Sequence, residues 1–245
     1  MLKVKNLKKY FGGVKAVDDC SFEIKEKTIT ALIGPNGAGK STVFNIISGV
    51  LRPNEGEIIF REKNITNLKP DEISNLGISR LFQKSNLFNN LTVKENLLLA
   101  LDNEDTEFWK NLVGLNKITE NKEQIIKKAL KDIRLEQFEN TLTRDLSFGQ
   151  KRLIELQRTI LNPHKFLMLD EPVAGVNPKL RKEIIEALVE LKNKGETILL
   201  IEHDMNFTLN VADWIVVMEK GRVIAEGKPE EIKNNPEVLE AYLGE

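Results

Sequence analysis

Nine consecutive residues carry the clearest chemistry in the chain: Gly34-Pro35-Asn36-Gly37-Ala38-Gly39-Lys40-Ser41-Thr42. The pattern is G-x-x-x-x-G-K-[ST], in which glycines let backbone N–H groups curl around phosphate oxygens. The lysine at its end, Lys40, reaches the β- and γ-phosphates of a nucleotide, and the Ser41 hydroxyl is a ligand for Mg²⁺. Such a loop works between a strand and a helix, because the helix N-terminus adds its dipole and its unpaired amides to the cradle. Both flanks are present. An apolar strand is expected over Thr28–Ile33, and a helical run follows with Val43, Ile46 and Ile47.

A phosphate loop needs a second anchor for its metal. Phe166-Leu167-Met168-Leu169-Asp170-Glu171 supplies one: four apolar residues bury a strand and two carboxylates emerge at its end. Asp170 is expected to hold Mg²⁺, directly or through water, and Glu171 to polarise the water that attacks the γ-phosphate. A hydrophobic run ending in Asp-Glu is common by itself; its pairing with the Gly34–Ser41 loop points to chemistry.

Between these segments lies Leu146-Ser147-Phe148-Gly149-Gln150. Ser147 precedes a helical run with Leu153, Leu156 and Ile160 on one face, so it reads as an N-cap, and a capped helix start is also an anion site. The whole chain here resembles the ABC ATPases, whose signature motif is Leu-Ser-x-Gly-Gln. That resemblance implies an α/β fold: a P-loop NTPase cassette with a mixed-sheet RecA-like core, an N-terminal antiparallel β part and an inserted helical subdomain. It implies that Ser147, Gly149 and Gln150 meet ATP held by a partner subunit. Gln83, in Arg80-Leu81-Phe82-Gln83, would touch Mg²⁺ with Ser41 and Asp170. His203, in Ile201-Glu202-His203-Asp204, would hydrogen-bond the γ-phosphate and act with Glu171 and Lys40. Phe11 would stack on adenine, with Tyr10 as its competitor. Two positions depart from the common pattern: Phe148 stands where glycine is usual, and Ala174-Gly175-Val176-Asn177 where many members have Ser-Ala-Leu-Asp.

The elements that must position these groups follow from texture. Turn signals and short apolar strands alternate through residues 1–86, and no proline occurs between Asp71 and Asn162. Ile126, Ala129, Leu130 and Ile133 share one helical face, so the middle is expected to be helical from about Leu91 to Leu161. Strand texture returns at Phe166–Leu169 and Thr197–Ile201, with a helix over Pro178–Lys194 that Gly195 stops. The expectation is one ABC ATPase domain, with a nucleotide-binding core at about 1–86 and 162–245 and a helical signature subdomain at about 87–161.

Composition narrows the partners. The 245 residues hold 36 Lys+Arg against 37 Asp+Glu, a net charge of −1, which argues against nucleic acid as the main partner. A single cysteine, Cys20, makes no internal disulfide and reads as a small buried hydrophobe in a reducing compartment. No apolar run approaches the ~18 residues that span a membrane. Met1-Leu2-Lys3-Val4-Lys5 has no apolar core or cleavage site, so a cytoplasmic protein is expected.

Smaller features resemble the cassettes of branched-chain amino-acid importers: Lys9-Tyr10-Phe11-Gly12-Gly13, Glu171-Pro172-Val173-Ala174-Gly175-Val176-Asn177-Pro178, Glu202-His203-Asp204-Met205 and the ending from Asn235 to Gly244. Urea or amide importers and lipopolysaccharide exporters share part of this pattern, and a regulatory module that holds ATP without turnover is a further alternative. The resemblance implies separate transmembrane permease subunits, a second cassette, identical or not, and indirectly an extracytoplasmic substrate-binding protein. It places the chain peripherally on the cytoplasmic face of a membrane. Leu87, Phe88 and Leu91, just after Gln83, offer an apolar surface of which part is expected to meet a membrane subunit, the alternative being that all three are internal core.

Overall fold

The computed structural model describes residues 1–81, 87–101 and 120–243. Strands β1 (Leu2–Phe11) and β2 (Val14–Ile24) form a hairpin, and β4 (Glu55–Phe60) and β5 (Lys63–Asn64) extend it to an antiparallel sheet in the order β2-β1-β4-β5. Leu2, Val4 and Leu7 of β1 are buried while Lys3 and Lys5 are exposed, the alternation of a sheet with one wet face. Cys20 lies wholly buried on β2, where burial pushes its thiol up to about 12.

The second sheet has six strands in the order β10-β9-β3-β8-β7-β6. Its centre is β3 (Ile29–Ile33), β8 (Thr197–Ile201) and β7 (Phe166–Asp170), three parallel strands in which every residue is buried. Continuous apolar runs of this kind mark strands covered on both faces. The flanks are β6 (Ile78–Leu81) on one side and the antiparallel pair β9 (Trp214–Glu219) and β10 (Arg222–Gly227) on the other. Helix α1 (Lys40–Ile47) buries Val43, Phe44, Ile46 and Ile47. These join Phe60 and Phe166, whose rings lie 5.9 Å apart, in the main apolar cluster.

The chain divides into two compact units. One comprises Met1–Arg80, Lys165–Glu171 and Leu188–Glu245; the other comprises Leu81–His164 and Pro172–Ala187. In this division the residues just after Glu171 group with the helical unit. In the first unit, the chain also forms α2 (Pro70–Asn75), α7 (Met205–Val211), α8 (Pro229–Lys233) and α9 (Pro236–Leu243). The helical unit contains α3 (Val93–Leu101), α4 (Glu120–Asp132) and α5 (Phe148–Leu161), and α6 (Pro178–Asn193) begins in it.

The helical texture read from Leu91 to Leu161 is not one continuous run. After α4 the chain makes single 3₁₀ turns at Glu136–Phe138 and Thr143–Asp145. Leu87 is buried rather than available to a partner, whereas Phe88 is half exposed with the Arg158 guanidinium 5.1 Å over its ring.

The phosphate-type loop joins β3 to α1 and is held from outside by backbone. A Cβ at Gly34 would lie 2.0 Å from the Met218 carbonyl oxygen, and one at Gly39 2.3 Å from that of Ala16. Gly37 has φ +78 but nothing within 4 Å of its would-be Cβ. Gly37→Ala should therefore cost only the left-handed penalty of about 1–2 kcal/mol. Gly39→Ala, at φ +101, adds a backbone collision worth roughly 1–3 kcal/mol more. Urea unfolding of both variants measures the difference, and equal midpoints would show that the loop is not clamped as described.

Candidate functional site

One backbone register assembles the site. Ile201 at the end of β8 pairs with Leu32 of β3 on one side and with Asp170 of β7 on the other. The residues following each partner therefore emerge together, at the carboxyl ends of parallel strands: the Gly34 loop, Glu171, and Glu202-His203. Open α/β sheets bind ligands along this edge.

The loop opens onto the N-terminus of α1. Gly39 is the N-cap of α1, with a left-handed backbone and no side-chain capping bond, and a helix N-terminus is a favourable setting for an anion. No acidic residue occupies the first turn of α1. The Lys40 ammonium donates to the carbonyls of Gly34 at 2.6 Å and Pro35 at 2.8 Å, folding its charge over the loop. Ser41 is exposed on the same turn, and Thr42 half-buried. Outside the loop, the Gly221 N–H donates to the Ala38 carbonyl and the Asp18 N–H to the Gly221 carbonyl. The two-residue turn Lys220-Gly221, with both φ positive, thus props the loop against β2. A cavity of ≈ 580 Å³ opens between Pro35–Ala38, this turn and α9. Its lining carries Glu219, Glu237 and Glu240 against Lys220, so it is predominantly acidic.

The carboxylates differ in setting. Asp170 is 3% exposed, with its Oδ2 at 3.3 Å from Nη2 of Arg80. Burial pulls the Arg80 guanidinium below the ordinary arginine value, and the Asp170 charge pushes it back. Glu171 has φ +49, a left-handed backbone that costs a non-glycine residue about 1–3 kcal/mol. Its N–H is nonetheless satisfied by the Ile201 carbonyl at 3.0 Å, which continues the β7–β8 ladder one residue further. Its Oε1 lies 3.7 Å from Nδ1 of His203, an ion pair whenever that imidazole is protonated. His203 stands in solvent while the neighbouring Glu202 is buried and accepts the His203 N–H. Asp204 then caps α7 by accepting the Phe207 N–H.

The two candidate aromatics have different surroundings. Tyr10 is half-buried and its hydroxyl donates to Asp18 at 3.5 Å; Arg222 also bonds Asp18 and holds that carboxyl below the usual range. Phe11, at the hairpin turn, is 46% exposed, with the Lys9 ammonium 5.2 Å over its ring.

In the helical unit, Ser147 caps α5 in a reciprocal box: its Oγ accepts the Gln150 N–H and Gln150 Oε1 accepts the Ser147 N–H. Phe148 is 68% exposed, and a Cβ at Gly175 would fall 2.7 Å from its ring. A Cβ at Gly149 would meet the Gly175 carbonyl oxygen at 3.0 Å. The two departures noted in the sequence, Phe148 and Gly175, are thus halves of one contact. Asn177 keeps a use without its charge, since its Oδ1 accepts the Leu180 N–H at the start of α6. Gln83 lies outside the described residues.

Two contributors were not singled out by sequence reasoning. Arg80 was noted only as a neighbour of Gln83, although an arginine in the short run Ile-Ser-Arg-Leu is a signal that a buried charge needs a partner. The Lys220-Gly221 turn acts through backbone alone and leaves no side-chain signal beyond its glycine.

Residues 17–174 match the family described as ABC transporter, and residues 222–245 match one described as branched-chain amino acid ATP-binding cassette transporter. Over its full length the chain is 41% identical to a probable branched-chain amino acid transport ATP-binding protein, LivG, of Archaeoglobus fulgidus, covering 95% of that protein. It is likewise 41% identical to the high-affinity LivG protein of Salmonella typhimurium, covering 98% of it. Among solved structures, a nucleotide-free ATP-binding cassette from an ABC transporter superposes with a TM-score of 0.82 at 39% identity, with 100% of this chain and 99% of that one covered. A structure of an ATP-binding cassette of an ABC transporter in its ADP conformation gives 0.84 at 37% identity, with 100% and 99% covered. On the family match over residues 17–174 and the full-length relatives, the chain belongs to the ABC transporter family as one of its ATP-binding cassettes.

Proposed function

We propose that this cassette hydrolyses ATP to energise import of branched-chain amino acids through separate membrane subunits, closing on a second cassette as it does so. The observation that carries the catalytic part is the shared strand register, which brings the phosphate loop, Glu171 and His203 to one edge of the sheet. The transport part is supported by full-length similarity to transport ATP-binding proteins and by the match over residues 222–245. Among the described residues no helix is long and apolar enough to cross a membrane; in this reading the chain acts as a peripheral subunit on the cytoplasmic face. Dimeric cassette structures among its structural relatives support pairing with a second cassette. An extracytoplasmic binding protein would deliver the substrate, and the half-exposed Phe88 ring would face the membrane subunit.

Each side chain has a stated task in this reading. Lys40 leaves the Gly34 and Pro35 carbonyls for the β- and γ-phosphates, exchanging neutral acceptors for charged ones. The amides of Gly37, Ala38 and Gly39 and the start of α1 surround the phosphates, with Pro35, Asn36 and Thr42 completing the loop. Phe11 presents its exposed face to the adenine. Glu171 accepts a proton from the attacking water, and His203, within reach of Glu171, hydrogen-bonds the γ-phosphate. Ser147 accepts from Gln150 and keeps its own O–H to donate, so with Gly149 and Gln150 it can meet the γ-phosphate of ATP on the partner cassette. Asp170, an almost fully buried carboxylate, and Ser41, a hydroxyl on the first turn of α1, are hard oxygen donors that fit Mg²⁺, with Gln83 as a third ligand. When bound, Mg²⁺ would neutralise charge developing on the phosphate oxygens.

Removing the Lys40 charge should cost about 1.5–3 kcal/mol of ATP binding, or roughly 10–100-fold. Phe11→Ala should cost about 1–3 kcal/mol, by analogy with stacking of bases on aromatics. Isothermal titration checks both, and a larger loss from Tyr10→Ala would transfer the stacking role to that ring.

Glu171→Gln keeps the shape and removes the base. It should bind ATP as the wild type does, hydrolyse it about 10²–10⁴-fold more slowly, and accumulate as a closed dimer in light scattering with ATP. If the natural partner is a different cassette, the dimer should form only on mixing with it. Wild-type turnover would remove Glu171 from the mechanism. For the transported substrate, cells lacking this chain should lose uptake of labelled leucine, isoleucine and valine, and re-expression should restore it. Normal leucine uptake with lost urea uptake would overturn the assignment.

A further inference from the structure

We propose that Arg80 is a positioning residue for the metal side of this site: its guanidinium ties the far end of α1 to the end of β7 and so sets the Asp170 carboxylate relative to Ser41. The inference rests on the reading of Asp170 and Ser41 as Mg²⁺ ligands. Those ligands come from different elements, one from the first turn of a helix and one from the last residue of a strand. Mg²⁺ demands near-ideal octahedral geometry and tolerates little misplacement, so the relation between the two elements must be fixed by something else.

Arg80 touches both. From β6, its Nη1 donates to Ser48 Oγ at 2.6 Å, Asn45 Oδ1 at 2.9 Å and the Phe44 carbonyl at 3.4 Å, all around the last turn of α1. Its Nη2 donates to Asp170 Oδ2 at 3.3 Å. The guanidinium also lies 5.7 Å over the Phe44 ring. Both side chains of the pair are buried, Arg80 at 7% exposure and Asp170 at 4%. Helix α1 has no basic residue in its last turn, so the arginine of the neighbouring strand supplies the cation its carbonyl end favours. A planar fork with several donors can span helix end and carboxylate at once, which a lysine cannot. Buried ion pairs add little net stability, because desolvation offsets their attraction. Folding alone would be served as well by an apolar pair, and the charged one gives Asp170 a defined orientation.

The test uses the full chain with ATP and Mn²⁺ as the spectroscopic probe in place of Mg²⁺. Variants are R80K, R80M and the double variant N45A/S48A, which loosens Arg80 without removing its charge; D170N is the control for the ligand itself. Thermal melts identify folded variants, and R80K and N45A/S48A remain informative if R80M does not fold. The expected result is Mn²⁺ affinity for the ATP complex weakened about tenfold in R80M, as for outer-shell changes in other metal sites, and by less in the other two. ATP affinity in EDTA should stay within twofold, and half-saturating Mg²⁺ for hydrolysis should rise with kcat at saturation largely kept. Unchanged or tighter Mn²⁺ binding in the folded Arg80 variants, with D170N still losing it, overturns the role of Arg80. If D170N also keeps its Mn²⁺ affinity, the ligand assignment beneath the proposal falls instead.

Discussion

The parallel ladder of β3, β8 and β7 is the constraint on which the site depends. These strands are buried along their whole length, so their amides and carbonyls have only one another as partners, and an unpaired buried amide or carbonyl is costly. A slip of β8 by one residue would break bonds on both sides at once, because Ile201 is paired to Leu32 and to Asp170. It would also exchange the side chains packed on the two covered faces. The relative heights of the phosphate loop, Glu171 and His203 are therefore set by backbone hydrogen bonding and burial, independently of any contact among the three.

Charge is then distributed along one axis. The N-terminus of α1 is left without a capping side chain or an acidic first turn, while its C-terminal carbonyls receive a buried arginine. The positive end of the helix dipole thus carries no side-chain counter-charge while the other end is neutralised, which suits it to an anion. Glu171 accepts a left-handed backbone immediately after the last buried residue of β7. The bond from its N–H to the Ile201 carbonyl ties that conformation to the sheet.

Legibility in the sequence followed the kind of interaction involved. The central strands could be read because burial on both faces forces unbroken apolar runs, and the loop because close approach of backbone to backbone admits only glycine at positions such as Gly34 and Gly39. The antiparallel N-terminal sheet came from family resemblance rather than from a pattern in the residues. Where backbone meets backbone without such punctuation, reading failed. Helix α4 ends with Arg134 in the left-handed region and a bond from the Leu135 N–H to the Leu130 carbonyl, a terminus that glycine usually announces. No glycine is there, so the helical texture seemed to run on. The pairing of Arg80 with Asp170, ninety positions apart, is equally silent, since only the fold brings β6 beside the end of β7.

The contact between Phe148 and Gly175 has a consequence for how such a sequence can change. With the ring in place, any side chain at 175 would meet it at 2.7 Å, and the φ of +71 there disfavours one even with the ring gone. Replacing Phe148 by glycine only empties space on an exposed surface. The substitutions are therefore ordered: a lineage can lose the ring first and rebuild the following loop later, but the reverse path begins with a collision. Grafting either segment singly between cassettes meets the same asymmetry, and the two behave as one heritable unit.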